Sequence, residues 1–265
     1  MKNLKPIVRN AVMDLHAIIK QKKLKYRRIL NRKFKFIENE YKLYNQVAKG
    51  KRIKPKKVDI TGQKSLISLY DSKTDLASEI CREIVNAIPE ELYGKCVNCF
   101  IGESSELDHF LPKEFFPYFS IFHLNLVPIC GTCNKKKGKS IPLKGNDFIH
   151  PYFDFIPDIQ YLKCNIIFRN NVAKAVFSIN KNVLGYLEKR MIDHYENLDL
   201  LDRFQKKSAQ YFSRIATYKN YKGQNYILKI LKKDREEAII FYGTNSWKAV
   251  LCTEMLRVNF LKKIP

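Results

Sequence analysis

Four cysteines fall in two pairs, Cys96-Val97-Asn98-Cys99 and Cys130-Gly131-Thr132-Cys133, separated by 30 residues. A C-x-x-C turn aims two thiolates at one ion, and two such knuckles complete a tetrahedral Zn²⁺ site. Four thiolates close the coordination sphere, so a zinc held this way staples the chain and leaves no open position for hydrolysis. Beside the knuckles stand Asp108-His109, then Asn125, then Asn134 directly after the last paired cysteine. This is a carboxylate next to an imidazole, with two amides downstream. An imidazole with a pKa near ~6.5 is partly neutral at cytosolic pH and can accept a proton. On a regular strand the side chains of Asp108 and His109 would face opposite ways, so a shared site demands a twisted strand end or a bulge. Taken alone, His109 reads as a satisfied core histidine.

The elements that must position these groups can be read from periodicity. Val8, Val12, Leu15 and Ile19 fall on one helical face, which predicts a basic helix or helical pair through about residue 45. Residues 50–57 read as a linker. Ser72 and Asp75 have capping-box spacing ahead of Leu76, Ile80, Ile84 and Ile88, with Pro89 as the stop. Residues 161–169 and 172–179 are apolar and β-branched and meet at Asn170-Asn171, which predicts a hairpin. Helix is expected from Val183 to about Ile215, then over 224–242 and 246–261.

The 265 residues carry 49 Lys and Arg against 26 acids, a net charge of +23, and 45% of the chain is hydrophobic. That is a folded basic protein whose excess charge favours a polyanion, with nucleic acid ahead of an anionic membrane surface. The charge is concentrated at one end: residues 1–57 hold 19 of the bases and three acids, Asp14, Glu38 and Glu40. Lys22, Lys23, Arg27 and Arg28 are the expected phosphate-gripping residues there. With no leader-like or membrane-spanning apolar run, and paired cysteines that suit a reducing compartment, a cytoplasmic protein is expected. The remaining cysteines, Cys81, Cys164 and Cys252, read as buried thiols.

Asp108-His109, Asn125-Leu126-Val127 ahead of Cys130, and Cys133-Asn134 ahead of Lys137 stand in the order of the HNH nuclease signature, in the variant with Asn at the third position. The chain resembles the HNH family over roughly residues 95–140, about a sixth of its length. The resemblance implies a ββα-metal module: one strand ending at Asp108-His109, one carrying Leu126 to Pro128, and a helix starting near Cys133. It implies that His109 is the general base, that Asp108 and Asn134 hold a catalytic Mg²⁺ or Mn²⁺, and that Asn125 braces the loop and orients the base. Lys113, Lys135, Lys136 and Lys137 become expected phosphate contacts. His123, His150, His194 and His16 read as structural, and the absence of further histidine ligands departs from the family's histidine-rich branch.

The expected fold is α+β, a mainly helical chain around a central zinc-stapled ββα-metal module with a small hairpin. The expected segments are 1–57 for nucleic-acid binding, 58–93 as a helical lead-in, 94–157 as the nuclease module and 158–265 as hairpin and C-terminal helices. More narrowly, the stretch from Leu107 to Phe119 and the His150-Pro151-Tyr152-Phe153-Asp154 run are similar to HNH proteins of bacterial anti-phage defence, nearest the nuclease subunit of Septu-type systems, which works with an ATPase partner. The expected activity is therefore hydrolysis of DNA phosphodiesters, with RNA as a further possible substrate. The competing reading is a nonenzymatic zinc-knuckle nucleic-acid binder.

Overall fold

A computed structural model describes residues 1–92, 94–141, 147–170 and 172–263. The fold is α+β, mostly helical with two small antiparallel sheets. The chain divides into two compact units, one formed by residues 3–97 and 103–155, the other by 1–2, 98–102 and 156–265. The basic N-terminal segment, the helical lead-in and most of the cysteine-rich segment thus fold together in the first unit.

That unit opens with helices α1 (Ala11–Gln21) and α2 (Leu24–Leu43), followed by a single turn, α3 (Asn45–Ala48). Asn10 caps α1 by accepting from the Met13 amide. The cap stops the helix there, so Val8 lies outside the apolar face it was expected to join and is 99% exposed. Leu15, Ile18 and Ile19 form the buried face instead. Residues 51–59 form no helix or strand. Helices α4 (Ile60–Asp71) and α5 (Asp75–Asn86) follow. Because α4 runs through Asp71, Ser72 closes that helix rather than opening the next; Thr74 caps α5, its hydroxyl accepting from the Ala77 amide. Ile80 and Ile84 are buried as the four-residue repeat predicts.

Strands β1 (Glu106–His109) and β2 (Leu126–Ile129) pair antiparallel, with Asp108 opposite Val127 and His109 opposite Leu126. Helix α6 (Gly131–Lys137) starts directly after Cys130, whose sulfur accepts from the Cys133 amide. It ends at Gly138, where φ is +53° and a side chain would be strained.

The second unit contains the hairpin β3 (Leu162–Arg169) and β4 (Val172–Ile179) and the helices α7 (Glu188–Asn197), α8 (Leu200–Lys222), α9 (Gln224–Tyr242), α10 (Trp247–Arg257) and α11 (Phe260–Lys263). Asn170 has a positive φ at the hairpin turn; Asn171, its expected partner there, lies outside the described residues. Leu162, Cys164, Ala175 and Phe177 bury one face of the hairpin against α8 and α10. The helix expected over 183–215 is two helices, because Asp199 takes a left-handed conformation between α7 and α8. Asn259 does the same between α10 and α11, and α9 spans the expected 224–242. No helix among the described residues is long and apolar enough to cross a membrane.

Candidate active site

Cys96, Cys99, Cys130 and Cys133 are buried, and their sulfurs all lie within 4.8 Å of one another. Four sulfurs at that spacing can converge on one ion, and thiolate softness selects Zn²⁺ over Mg²⁺ or Ca²⁺. The second knuckle bridges the end of β2 and the first turn of α6, so a metal bound there would fix the strand-to-helix corner on which Asn134 sits.

A cavity of about 710 Å³ lies in the first unit, and Asp108, His109 and Asn134 all line it. The adjacent Asp108 and His109 reach the same hollow from the last two positions of β1, the strand-end arrangement their spacing demands. Two further elements contribute: α4 through Tyr70 and α5 through Cys81 and Arg82.

His109 is buried, and its Nε2 lies 2.8 Å from the Ser120 carbonyl oxygen. A carbonyl only accepts, so Nε2 carries the proton and Nδ1 holds the lone pair of the neutral ring. Burial pushes the His109 pKa down to about 4, against a smaller opposing pull from that hydrogen bond. Helix α4 holds the imidazole from two directions. The Ser120 hydroxyl donates to the Leu66 carbonyl at 2.6 Å, and the Tyr70 ring meets the imidazole edge-to-face at 4.5 Å between centroids.

Asp108 is buried against Lys137, whose Nζ lies 3.0 Å from the carboxylate and 2.8 Å from the His109 carbonyl oxygen. Burial raises the Asp108 pKa, and the Lys137 ammonium opposes that shift. A carboxylate has about four lone-pair positions, so the ion pair leaves room for a further ligand. Asn134 is half-buried, and its Nδ2 donates to the Glu106 carboxylate at 2.6 Å. That bond fixes the amide orientation and leaves Oδ1 as the oxygen it does not engage. The Glu106 carboxylate itself fits over Gly131, where an added Cβ would come within 2.6 Å of Oε1.

Asn125 is fully buried, and both ends of its amide are engaged. Oδ1 accepts from the Leu111 amide at 2.8 Å and the Tyr44 hydroxyl at 2.9 Å; Nδ2 donates to the carbonyls of Leu111 and Phe119. Its place is that of a loop brace. The brace extends further: His150 Nδ1 accepts from the Tyr152 amide, so its Nε2 donates to Tyr44 at 3.3 Å. His123 is also buried, its pKa pushed down to about 4 by desolvation.

The expected phosphate contacts divide. Lys135 and Lys136 are exposed on α6, as are Lys23 and Arg28 at the start of α2, and Arg27 is half-buried. Lys113 lies on the cavity rim in an ion pair with Asp71. Lys137 and Lys22 differ from the expectation, since both are buried. Lys137 neutralises Asp108, and Lys22 donates to the carbonyls of Ser68 and Ser72, closing the end of α4. Sequence reasoning missed Glu106, Ser120, Tyr70 and Tyr44. Of these only Glu106 had a signal, two residues before Asp108 and therefore on the same face of the strand.

No protein-family model matches the chain, and no solved structure matches it. Over 135 residues it is 30% identical to Protein ea31 of Escherichia phage lambda, covering 48% of this chain and 45% of that protein. Over 57 residues it is 42% identical to Septu protein PtuB of Bacillus thuringiensis, covering 20% of this chain and 22% of that protein. The chain thus spans less than half the length of the curated relatives it matches. It has partial similarity to a Septu protein, together with a four-cysteine cluster that could bind zinc.

Proposed function

We propose that the protein is an HNH-type endonuclease that hydrolyses DNA phosphodiester bonds, with His109 as general base and Asp108 and Asn134 holding a catalytic Mg²⁺ or Mn²⁺. The observation that carries this reading is the convergence of Asp108, His109 and Asn134 on one cavity beside a helix whose first turn carries two of four clustered cysteines.

The donor set suits a hard cation, since one carboxylate oxygen and one amide oxygen leave most of the coordination sphere to water and phosphate. An ion so held supplies positive charge to the pentacovalent phosphorus and to the leaving 3′ oxygen. The remaining steps belong to the chain. His109, kept neutral by burial and held through Nε2, takes the proton of the attacking water at Nδ1. The water oxygen bonds to phosphorus as the bond to the 3′ oxygen breaks; the 3′ alkoxide takes a proton from solvent water and His109 returns its proton to solvent, leaving a 5′ phosphate and a 3′ hydroxyl. Lys137 opposes the effect of burial on the Asp108 carboxylate, and Glu106 keeps the Asn134 amide turned. The similarity to Septu protein PtuB supports a role in defence against phage or foreign DNA; action as a subunit beside an ATPase partner is what the resemblance to Septu-type systems implies.

The test is nicking of supercoiled plasmid with no added metal, Mg²⁺ or Mn²⁺, with the wild type beside His109→Ala. Metal-dependent nicking that falls by about 10²–10⁴-fold in the variant, with DNA affinity retained, is the expected result. Undiminished nicking in His109→Ala would overturn the base assignment. Salt-sensitive binding with no strand breaks under any metal would favour the nonenzymatic binder.

A further inference from the structure

The catalytic cavity does not end the basic surface of the first unit. A second hollow, of about 540 Å³, lies where the α1–α2 corner meets the α4–α5 corner, and Lys73 lines both. Lys23, Lys25 and Lys73 are exposed around it, with Asp75 as the one carboxylate in its lining. The buried Lys22 ties the two corners together through the Ser68 and Ser72 carbonyls, which fixes the hollow's walls. Beyond it, Lys25, Arg28 and Arg32 follow one another at helical spacing along an exposed face of α2. No acid occurs between Asp14 and Glu38.

We propose that this hollow is a phosphate-backbone site for the same DNA whose scissile bond lies in the catalytic cavity, with Lys73 as the joint between the two and the α2 face as its continuation. The inference rests on the nuclease reading of the cavity and adds to it the path the substrate takes away from the cut. Three facts favour a polyanion over a small ligand. The hollow sets three exposed lysines against one carboxylate, those lysines act as point charges, and it is continuous with a helix face of the same sign. Such contacts hold register along the backbone and read no bases, so the site implies cleavage with weak sequence preference at this end of the substrate.

The experiment measures binding of a labelled DNA duplex to the full chain, without added divalent ion, over a series of salt concentrations. The wild type is compared with Lys23→Gln/Lys25→Gln/Lys73→Gln and with a control of equal charge change on α9, Lys229→Gln/Lys232→Gln/Lys233→Gln. Each lost phosphate contact lowers the log–log salt slope by about 0.9, so the hollow variant is expected to be shallower by about 2 to 3 and the control to stay near the wild type. A wild-type slope in the hollow variant, or an equal drop in both variants, overturns the proposal. Wild-type hydrolysis of bis(4-nitrophenyl) phosphate with Mn²⁺ judges the cavity separately, because that diester is too small to reach the second hollow. Silence there counts against the nuclease reading, and the salt slopes still decide the track.

Discussion

At the scale of single residues, the groups that set the candidate site's geometry are partners of the reactive ones. Glu106 fixes the Asn134 amide at 2.6 Å, and the loss of such a partner lowers metal affinity or activity typically 10–100-fold. Glu106→Ala is therefore expected to slow metal-dependent nicking by about that factor, mainly by raising the Mn²⁺ concentration needed for half-maximal rate. Glu106→Gln, which retains a carbonyl acceptor, restores much of it. A Mn²⁺ titration unchanged in Glu106→Ala would remove Glu106 from the site. Ser120 and Tyr70 act alike on His109, one through a carbonyl and one through a ring edge, and neither brings a charge that would disfavour the neutral base.

At the scale of elements, the corner from β2 into α6 carries two duties at once. Cys130 ends the strand, caps the helix through its sulfur and belongs to the four-cysteine cluster. Cys130→Ser is expected to lower zinc affinity by several orders of magnitude and to destabilise the first unit, because thiolate binding free energy is folding free energy. Zinc content by atomic absorption, close to one per chain in the wild type and near none in the variant, checks this; equal stoichiometry would argue against the cluster as a zinc site. Helix α4 is the other organising element. Its Leu66 carbonyl and Tyr70 ring hold the His109 assembly, while its C-terminal carbonyls receive Lys22.

At the scale of the whole molecule, stability is coupled to pH through histidines buried in the neutral form. Desolvation pushes His123 down to about 4 and His194 down to about 3, while in the unfolded chain both titrate near 6.5. Their folded pKa values are depressed, so below about 6.5 the unfolded chain binds protons that the folded chain refuses. Stability is full above that value and declines as the pH falls from 6.5 toward about 4 for His123 and about 3 for His194. Between pH 8 and pH 5 the loss is on the order of 2 kcal/mol for each histidine. Urea denaturation at the two pH values measures it, and His123→Gln or His194→Gln should flatten the dependence; an unchanged dependence in both would refute the assignment.

What the sequence determined by itself was local or short-range. Helical period located α1 and α5, apolar β-branched runs located the β3–β4 hairpin, and the C-x-x-C spacing located the four sulfurs that cluster, because each signal is carried within one element or one turn. The motif order also marked Asp108, His109 and Asn134 as groups to be brought together. What only tertiary structure decided was which polar group meets which. Tyr44 reaches Asn125 from 81 residues away, and Lys22 meets Ser68 across 46. The fate of a lysine illustrates the reason. In the sequence Lys22 and Lys23 are alike, but burial of an ammonium costs free energy unless acceptors converge on it, and convergence of carbonyls from a distant helix end is a property of packing. The same packing buried Lys137 against Asp108, left Lys23 and Lys73 in solvent around one hollow, and so set which cations of a strongly basic chain are held inside and which face solvent.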